Sequence, residues 1–390
     1  MSERRLRVAV TGGGSGGHAN PAMALIEGWR ELAGELAPEF EYIGSAAGVE
    51  VKLAAARSVR YHAIATGKLR RYLSLQNLAD VFRVAAGTIQ SLVLLRRLRP
   101  DVVFSTGGFV SVPVVIAARI LHIPILAHEQ TVAGGLANRI AGRLADRVAV
   151  SFQSSADFFP GASVVVTGIP LRKTLFSGDA ARFYESSGLD RSLPLVYVTG
   201  GAQGSRVLNG AVAASLEGLL SSACVAHQCG SHPSYDALAM MRQAAAALPR
   251  ELARRYFVFD YMDRGLGDLM AAATLLVGRA GAGTVCEAMA LAKPAILVPL
   301  ATSAGDEQRK NARLLSDAGQ AVVIEESDLD GPRLLAAVGQ LLSEPARLQS
   351  MREAARGLFI PGAVERLVSE LESLAASCLS GQPRSQGPHH

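Results

Sequence analysis

The sequence VAVTGGGSGG at residues 8–17 returns as VYVTGGAQGS at residues 196–205, with six of ten positions identical and an offset of 188 residues. In both places a short apolar, β-branched run leads directly into a glycine-rich loop. A strand that continues through such a loop into a helix is the opening of a Rossmann-like unit. The repeat therefore predicts an α/β protein with two Rossmann-like domains that face each other across a cleft.

The rest of the chain supports two such domains. Short β-rich runs alternate with Ala- and Leu-rich stretches of helical period, which is typical of parallel sheets with crossover helices. The predicted strands are residues 7–10, 41–43, 101–104, 123–127 and 147–150, then 195–198, 224–227, 257–259, 275–277, 295–298 and 321–324. We predict domains at residues 1–168 and 169–379, a last helix that packs back on the first domain, and a disordered tail at residues 380–390.

Composition narrows the class of protein. The chain has 390 residues, of which 49% are apolar, so two sizeable cores are possible. The cysteines are Cys224, Cys229, Cys286 and Cys378. They show no CxxC spacing, so the sequence predicts neither a zinc site nor a disulfide framework. No apolar window approaches the ~18 residues of a membrane span, and the apolar stretch near the N-terminus is too short for the core of a signal peptide. We therefore expect a protein of the reducing cytoplasm.

Positive charge is concentrated in the N-terminal half. Residues 1–168 carry 18 Lys and Arg against 12 Asp and Glu, a net charge of +6, whereas residues 169–390 carry 21 against 22, a net charge of −1. Residues 51–100 hold ten basic side chains and a single acid, Asp80. Such a patch attracts anionic membrane surfaces or nucleic acid. No nucleic-acid recognition motif or interleaved aromatic residues accompany it, so we do not expect nucleic acid as a partner.

The glycine-rich loops suggest phosphate ligands. Glycine allows close approach of the backbone, and the following helix N-terminus presents amide hydrogens and a partial positive charge. Gly12, Gly14 and Gly17 satisfy GxGxxG, but the second strand lacks the acidic residue at its end that a dinucleotide ribose needs. The sequence also lacks GxxxxGK[ST], which disfavours a P-loop NTPase.

Polar side chains follow several strands at the edge where parallel sheets bind ligands. His18 follows the first loop, before a helix expected to begin near Pro21, and a third glycine loop covers residues 105–109. The run His128-Glu129-Gln130-Thr131 follows the strand at residues 123–127. In the second half, Arg279 opens a glycine-containing turn, and Glu287 would lie about one turn into the next helix, as a ribose ligand or a helix-dipole partner.

Taken together, these motifs resemble the MurG family of UDP-N-acetylglucosamine transferases over the span from about Val8 to about Pro361. The matching stretches are residues 13–18 (GGSGGH), 67–72 (GKLRRY), 105–113, 128–130, 134–138, 168–172, 200–205 with Asn209, 279–287 and 306–312 (DEQRKNA). The resemblance implies the two-domain GT-B fold. It also implies an inverting transfer of GlcNAc from UDP-GlcNAc to the 4-hydroxyl of a muramoyl-pentapeptide diphosphoryl-undecaprenol, which converts lipid I to lipid II in peptidoglycan synthesis.

The resemblance assigns residues to each part of this reaction. The implied UDP-GlcNAc contacts are Arg172, Gly201, Gln203, Gly204, Ser205, Met262 (to uracil), Ala282, Thr284, Glu287 (to ribose) and Gln308 (to the sugar). The implied acceptor contacts are Gly14, Ser15, Gly16, Gly17, Thr106, Gly107, Gly108, Phe109, Thr131 and Asn138. The implied membrane contacts are Lys68, Leu69, Arg70, Arg71, Tyr72, Leu73 and Leu75.

The resemblance further implies that His18 is the general base, because a histidine can accept a proton near neutral pH. Glu129 is the competing base or the residue that orients His18. No DxD pair lies at the end of a predicted strand, so we expect a metal-independent step without a cofactor. The protein would act at the cytoplasmic face of the bacterial membrane, with cell-wall synthesis and division proteins as possible partners.

Three positions depart from the family pattern. Thr131 stands where many members have Asn, Ser15 replaces a common Thr, and Glu307 a common Gln. A Thr hydroxyl cannot fully copy the simultaneous donation and acceptance of an Asn carboxamide, so Thr131 leaves open a related transferase that uses another sugar or acceptor. A third hypothesis, beside the peptidoglycan transferase and the related transferase, is a catalytically idle scaffold of the cell-wall machinery.

Overall fold

The computed structural model describes residues 4–67, 75–132, 135–232 and 234–379. Of these, the residues up to Arg172 and from Ile360 onward form unit 1, and Lys173–Phe359 form unit 2. The boundary between the first part of unit 1 and unit 2 therefore lies after Arg172, four residues beyond the domain boundary expected at residue 168. The expected tail at residues 380–390 lies outside the described residues.

Unit 1 is built on a doubly wound parallel sheet. Within its described residues, seven strands follow the order β3-β2-β1-β4-β5-β6-β7. The strands are β1 (Arg7–Thr11), β2 (Glu39–Ser45), β3 (Arg60–Ile64), β4 (Val102–Ser105), β5 (Ile125–Glu129), β6 (Arg147–Val150) and β7 (Val164–Val166). The helices between them are α1 (Gly16–Ala33), α2 (Val49–Ala56), α3 (Leu75–Leu98), α4 (Ser111–Ile120) and α5 (Leu136–Leu144).

Unit 2 repeats this design. In its described part, six parallel strands follow the order β10-β9-β8-β11-β12-β13. The strands are β8 (Leu195–Thr199), β9 (Cys224–Gln228), β10 (Tyr256–Phe259), β11 (Leu275–Gly278), β12 (Ala295–Leu297) and β13 (Ala321–Val323). The helices are α6 (Ala180–Ser187), α7 (Arg206–Ser222), α8 (Ala237–Ala246), α9 (Arg250–Ala253), α10 (Leu266–Ala272), α11 (Ala282–Ala290), α12 (Glu307–Asp317), α13 (Gly331–Ser343) and α14 (Pro345–Arg356). The two Rossmann-like units confirm the predicted fold class.

The last helix, α15 (Ala363–Leu379), belongs to unit 1. Its Leu367 and Leu371 are fully buried in the same apolar cluster as Val8 and Val10 of β1. Arg366 donates from Nε and Nη2 to the carbonyl oxygen of Thr167 at 3.0 and 2.7 Å. Helix α15 therefore contacts both the core of unit 1 and the segment that follows β7.

Strand burial explains the apolar runs in the sequence. Val8 and Val10 face the cluster with α1, whereas Ala9 faces a second cluster that includes Val114 and Val115 of α4. Central strands of a parallel sheet are covered by helices on both faces, so successive residues are all apolar. The two strands that were not predicted from the sequence, β3 and β7, form the edges of the sheet in unit 1. β3 carries polar side chains and β7 has three residues, so both give a weak pattern.

Two element boundaries also differ from expectation. Helix α1 begins at Gly16, so Pro21 lies inside it and His18 lies in its first turn. The expected start near Pro21 was wrong, because glycines rather than proline form the first turn. Strand β5 continues to Glu129, since its parallel pairing with β6 includes His128 opposite Ala149 and Glu129 opposite Val150. His128 and Glu129 are thus strand residues whose side chains lie on opposite faces of the sheet.

Candidate active site

Two glycine loops of unit 1 meet at the point where the strand order reverses. β1 and β4 are neighbours with Thr11 opposite Ser105, so the loops that follow them lie side by side. The amide of Gly13 donates to the carbonyl of Gly107 at 3.2 Å. Gly108 has a φ of +78°, and a Cβ there would collide with the carbonyl oxygen of Gly13. Only glycine allows this close approach, and ligands of such sheets bind at this edge.

His18 is held against both loops by its Nδ1 atom. This nitrogen lies 2.8 Å from the carbonyl oxygen of Thr106 and 3.0 Å from Oε1 of Gln130. The Thr106 hydroxyl in turn donates to the carbonyl of His18 at 2.7 Å. A carbonyl oxygen can only accept, so Nδ1 of His18 carries the hydrogen. The neutral ring therefore presents a lone pair at Nε2, which is the form that a general base requires.

Gln130 links His18 to His128 through hydrogen bonds. Nε2 of Gln130 is 3.0 Å from Nδ1 of His128 and 2.8 Å from its carbonyl oxygen. Nε2 of His128 donates to the carbonyl of Gly168 at 2.9 Å. Burial lowers the pKa of His128 from 6.5 to about 4, so this imidazole is neutral near physiological pH.

Glu129 is engaged with the loop that follows β5. Its buried carboxylate accepts from the amide of Thr131 at 2.9 Å and from the Thr131 hydroxyl at 2.8 Å. It also accepts from Nδ2 of Asn138 at 2.8 Å and from the amide of Gly135 at 3.3 Å. A Cβ on Gly107 would collide with Oδ1 of Asn138. The side chains hydrogen-bonded to Glu129 therefore pack against the glycine loop at residues 105–109. Thr131 itself is 4% exposed, and its hydroxyl is directed at Glu129.

Glu50 contacts the first glycine loop, although the sequence did not identify it as part of the site. It is fully buried, and its carboxylate accepts from the amide of Gly14 at 3.2 Å and from the amide and hydroxyl of Ser45 at 3.3 and 2.6 Å. Tyr42, whose pKa burial raises well above its ordinary value, donates to the carbonyl of Gly12. In the sequence Glu50 looks like an ordinary acid of a helix first turn, and nothing nearby signals its contact with the loop.

The corresponding loop of unit 2 joins β8 to α7. Gly201 and Gly204 have φ values of +81° and +73°, and a Cβ on Gly204 would collide with the carbonyl oxygen of Cys229. Ser205 caps α7, since its Oγ accepts from the amide of Leu208 at 3.3 Å. Gln203 is exposed on this loop. The N-terminus of α7 therefore points toward the ligand-binding edge of the second sheet.

The turn between β11 and α11 lies beside this loop, because β8 and β11 are paired with Thr199 opposite Gly278. Arg279 is buried, and its guanidinium donates to the carbonyl of Val298 at 3.3 Å and pairs with Glu326. Helix α11 begins at Ala282, so Thr284 lies in its first turn and Glu287 in its second.

Other predicted donor contacts already have structural partners. The amide of Met262 donates to Oε1 of Gln228 at 3.2 Å. Oε1 of Gln308 accepts from the amide of Leu300 at 3.0 Å, which leaves the Gln308 amide group as the hydrogen-bond donor it can offer a sugar. Arg172 differs in location, because it belongs to unit 1 while the rest of the predicted donor set lies in unit 2.

The predicted membrane contacts cannot be placed in the same way. Lys68, Leu69, Arg70, Arg71, Tyr72 and Leu73 lie outside the described residues, and Leu75 is the first residue of α3. Among the described helices, none is both long and apolar enough to cross a membrane.

Two doubly wound units, each with a glycine loop at its switch point, define a GT-B type of protein. The glycosyltransferase family 28 N-terminal domain matches residues 8–150, and the family's C-terminal domain matches residues 195–367. The chain belongs to glycosyltransferase family 28.

Curated relatives agree with this assignment. The UDP-N-acetylglucosamine–N-acetylmuramyl-(pentapeptide) pyrophosphoryl-undecaprenol N-acetylglucosamine transferase of Lachnospira eligens is 38% identical over 339 residues, which cover 87% of this chain and 91% of the relative. The protein of the same name from Clostridium novyi is 34% identical, with 94% and 98% covered.

Among solved structures, Acinetobacter baumannii MurG has a TM-score of 0.72 at 24% identity, covering 95% of this chain and all of that one. A Neisseria meningitidis UDP-GlcNAc 2-epimerase bound to UDP-GlcNAc has a TM-score of 0.68 at 13% identity, with 94% and 100% covered. At these identities the two structures support the fold alone.

Proposed function

We propose that this chain is an inverting hexosyltransferase that moves GlcNAc from UDP-GlcNAc to the 4-hydroxyl of the muramoyl-pentapeptide diphosphoryl-undecaprenol acceptor, from lipid I to lipid II. Support comes from family membership and from relatives, 34% and 38% identical, that carry the name of this transferase. The observation that carries the chemistry is the His18 ring, whose Nδ1 hydrogen is held by two oxygens.

The proposed step is a single displacement. The acceptor hydroxyl oxygen forms a bond to C1 of GlcNAc, while the bond from C1 to the β-phosphate oxygen breaks and its electron pair leaves with UDP. Attack opposite the leaving group converts the α-linked donor into a β-linked product. The hydroxyl proton passes to Nε2 of His18, and the resulting imidazolium is stabilised through Nδ1 by the oxygens of Thr106 and Gln130.

The proposed donor site is the glycine loop of unit 2 with the turn after β11. The N-terminus of α7 and the hydroxyl of Ser205 would hold the diphosphate, Glu287 the ribose and Gln308 the sugar. We expect Arg172 and the helix N-terminus to stabilise the departing UDP without a required metal ion or separate cofactor. UDP-GlcNAc is a substrate in this scheme.

The proposed acceptor site is the pair of glycine loops in unit 1. The amide of Gly14 donates inward to Glu50, so the acceptor diphosphate would be held by the amides of Gly16 and Gly17 in the first turn of α1. The loop containing Thr106 and Phe109 would form its other side. The basic segment around Lys68 would contact anionic lipid and place the protein peripherally on the membrane, at the face where lipid I is made.

A transferase for another sugar remains the alternative raised by Thr131. Its hydroxyl donates to Glu129, and the side chain is 4% exposed. We therefore propose that Thr131 and Asn138 shape the loop through Glu129, and that Glu129 acts in structure rather than as the base. A change of sugar specificity at this position would then be indirect.

Replacement of His18 tests the proposed role of the base. His18→Ala is expected to lower kcat by ~10²–10⁴-fold while UDP-GlcNAc binding, measured by calorimetry, is retained. His122→Asn is the matched control, because His122 is exposed and Asn tolerates its φ of +55°. Undiminished turnover by His18→Ala would refute the assignment of His18 as the base. Absence of turnover in the wild-type protein would favour the catalytically idle scaffold.

A further inference from the structure

A continuous path of hydrogen bonds joins the ring of His18 to the backbone at Gly168. It runs from Nδ1 of His18 to Oε1 of Gln130, from Nε2 of Gln130 to Nδ1 of His128, and from Nε2 of His128 to the Gly168 carbonyl. The distances are 3.0, 3.0 and 2.9 Å. Gln130 and His128 are each 1% exposed, so the path is shielded from water.

Each hydrogen in this path has one possible position. The Gly168 carbonyl can only accept, so Nε2 of His128 donates and Nδ1 of its neutral ring accepts. Nε2 of Gln130 therefore donates to that nitrogen and to the His128 carbonyl at 2.8 Å. A flipped amide would set the Gln130 oxygen against the His128 carbonyl oxygen, two acceptors with no hydrogen between them. Oε1 of Gln130 must therefore face His18.

We propose that Gln130 and His128 are positioning residues that act as a neutral relay, fixing the tautomer and angle of the His18 ring and stabilising it when it becomes protonated. The inference rests on the proposed role of His18 as the base. It assigns the orientation of His18 to an amide and an imidazole, and not to Glu129.

Glu129 is separated from this relay by the geometry of the strand. It follows His128 in β5, so its side chain lies on the opposite face. Its carboxylate oxygens accept from Thr131, Gly135 and Asn138. A carboxylate on Nδ1 of His18 would favour the imidazolium before reaction, whereas the amide oxygen of Gln130 carries no net charge.

The neutrality of His128 is essential to the relay. A proton on its Nδ1 would face the NH₂ group of Gln130 and break the path. Burial lowers the pKa of His128 to about 4, and its ring lies against Phe104, with ring centroids 6.2 Å apart. His128 therefore keeps its acceptor nitrogen near neutral pH.

Isosteric apolar replacement of Gln130 tests the relay. Gln130→Met is expected to lower kcat by about 10- to 100-fold, the effect of one hydrogen bond to a charged group, with the KM for UDP-GlcNAc within about twofold. Gln320→Met is the matched control. Gln320 is also a fully buried amide that donates to two backbone carbonyls, of Ala288 and Lys293, but it lies in unit 2. It should lose stability without a loss of kcat.

His128 supplies a second, independent pair of variants. His128→Asn can still accept from Gln130 and is expected to retain more of kcat than His128→Leu, which cannot. A purely structural role would lower stability and expression in both variants without this order in kcat. Long-range ¹H–¹⁵N spectra of the histidine-labelled wild-type protein add a direct readout. They should show His18 protonated at Nδ1 and His128 at Nε2.

The outcomes separate the relay from the proposed function. If His18→Ala is inactive but folded Gln130→Met and His128→Leu keep wild-type kcat, the relay is overturned and the base assignment stands. If His18→Ala is fully active, the assignment of His18 as the base falls, and the relay that rests on it falls with it. Should the Gln130 and His128 variants fail to fold, the wild-type spectrum decides, because the opposite tautomer at either histidine overturns the relay.

Discussion

The carboxylate of Glu50, fully buried beneath the first glycine loop, accepts the amide hydrogen of Gly14 at 3.2 Å. The same carboxylate accepts from Ser45 at the end of β2, so it joins two neighbouring strand ends. One amide of a loop expected to bind phosphate is thus turned inward. The loop takes its shape from the protein rather than from an anion, which lowers the ordering cost when an acceptor binds.

Removal of Glu50 should loosen this loop. Glu50→Ala leaves the amides of Gly14 and Ser45 without their acceptor, so we expect the free energy of unfolding to fall by about 2–4 kcal/mol. The KM for the lipid acceptor should rise more than the KM for UDP-GlcNAc. Denaturant unfolding and steady-state kinetics measure both effects. Glu353→Ala, on an exposed face of α14, is the control and should behave as wild type. Equal stability of Glu50→Ala and wild type would contradict this account.

Acid should destabilise the protein through two buried histidines. Burial lowers the pKa of His128 to about 4 and that of His227 to about 3, from 6.5. Below pH 6.5 the unfolded chain takes up a proton at each position while the folded chain does not. Stability is therefore complete above this pH and falls as pH decreases toward the folded pKa, by up to about 1.4 kcal/mol per pH unit for each histidine.

Replacement of His227 isolates one of these contributions. In His227→Gln the decline of unfolding free energy between about pH 5 and pH 6.5 should be shallower by up to about 1.4 kcal/mol per pH unit. Denaturant titrations at several pH values measure the slope. His122→Asn removes an exposed histidine and should keep the wild-type slope. Parallel curves for His227→Gln and wild type would show that His227 titrates normally in the folded chain.

The central strands could be predicted because burial on both faces demands continuous apolar runs, as in β1 and β8. The edge strands could not be predicted, since β3 carries several polar side chains and β7 has only three residues. His18 was identifiable from its position after a glycine loop. The contacts of Gln130 with His18 and of Glu50 with Gly14 join residues 112 and 36 positions apart, and no local pattern records them.

Glycine is required at Gly204 by two independent constraints. Its φ is +73°, and a Cβ would collide with the backbone carbonyl of Cys229, which cannot move without disturbing β9. Gly204→Ala should displace the donor loop and raise the Kd for UDP-GlcNAc by roughly tenfold or more, about 1.4 kcal/mol of lost binding.

The matched control lies one turn into the following helix. A Cβ on Gly210 of α7 meets no atom within 4 Å, so Gly210→Ala should leave the Kd for UDP-GlcNAc unchanged and add up to about 1 kcal/mol of stability. Calorimetric titration with UDP-GlcNAc compares the two variants. Wild-type affinity in Gly204→Ala would remove this loop from the donor site.

The central claim is GlcNAc transfer to a lipid-linked muramoyl acceptor, and UDP release from a panel of UDP-sugars tests it most directly. The assay compares each donor with and without a soluble muramoyl-diphosphate lipid analogue, using wild-type protein and His18→Ala. We predict acceptor-dependent release from UDP-GlcNAc, little release from the other donors, and loss of this release in His18→Ala. Release that follows another sugar, or that never depends on this acceptor, would contradict the account.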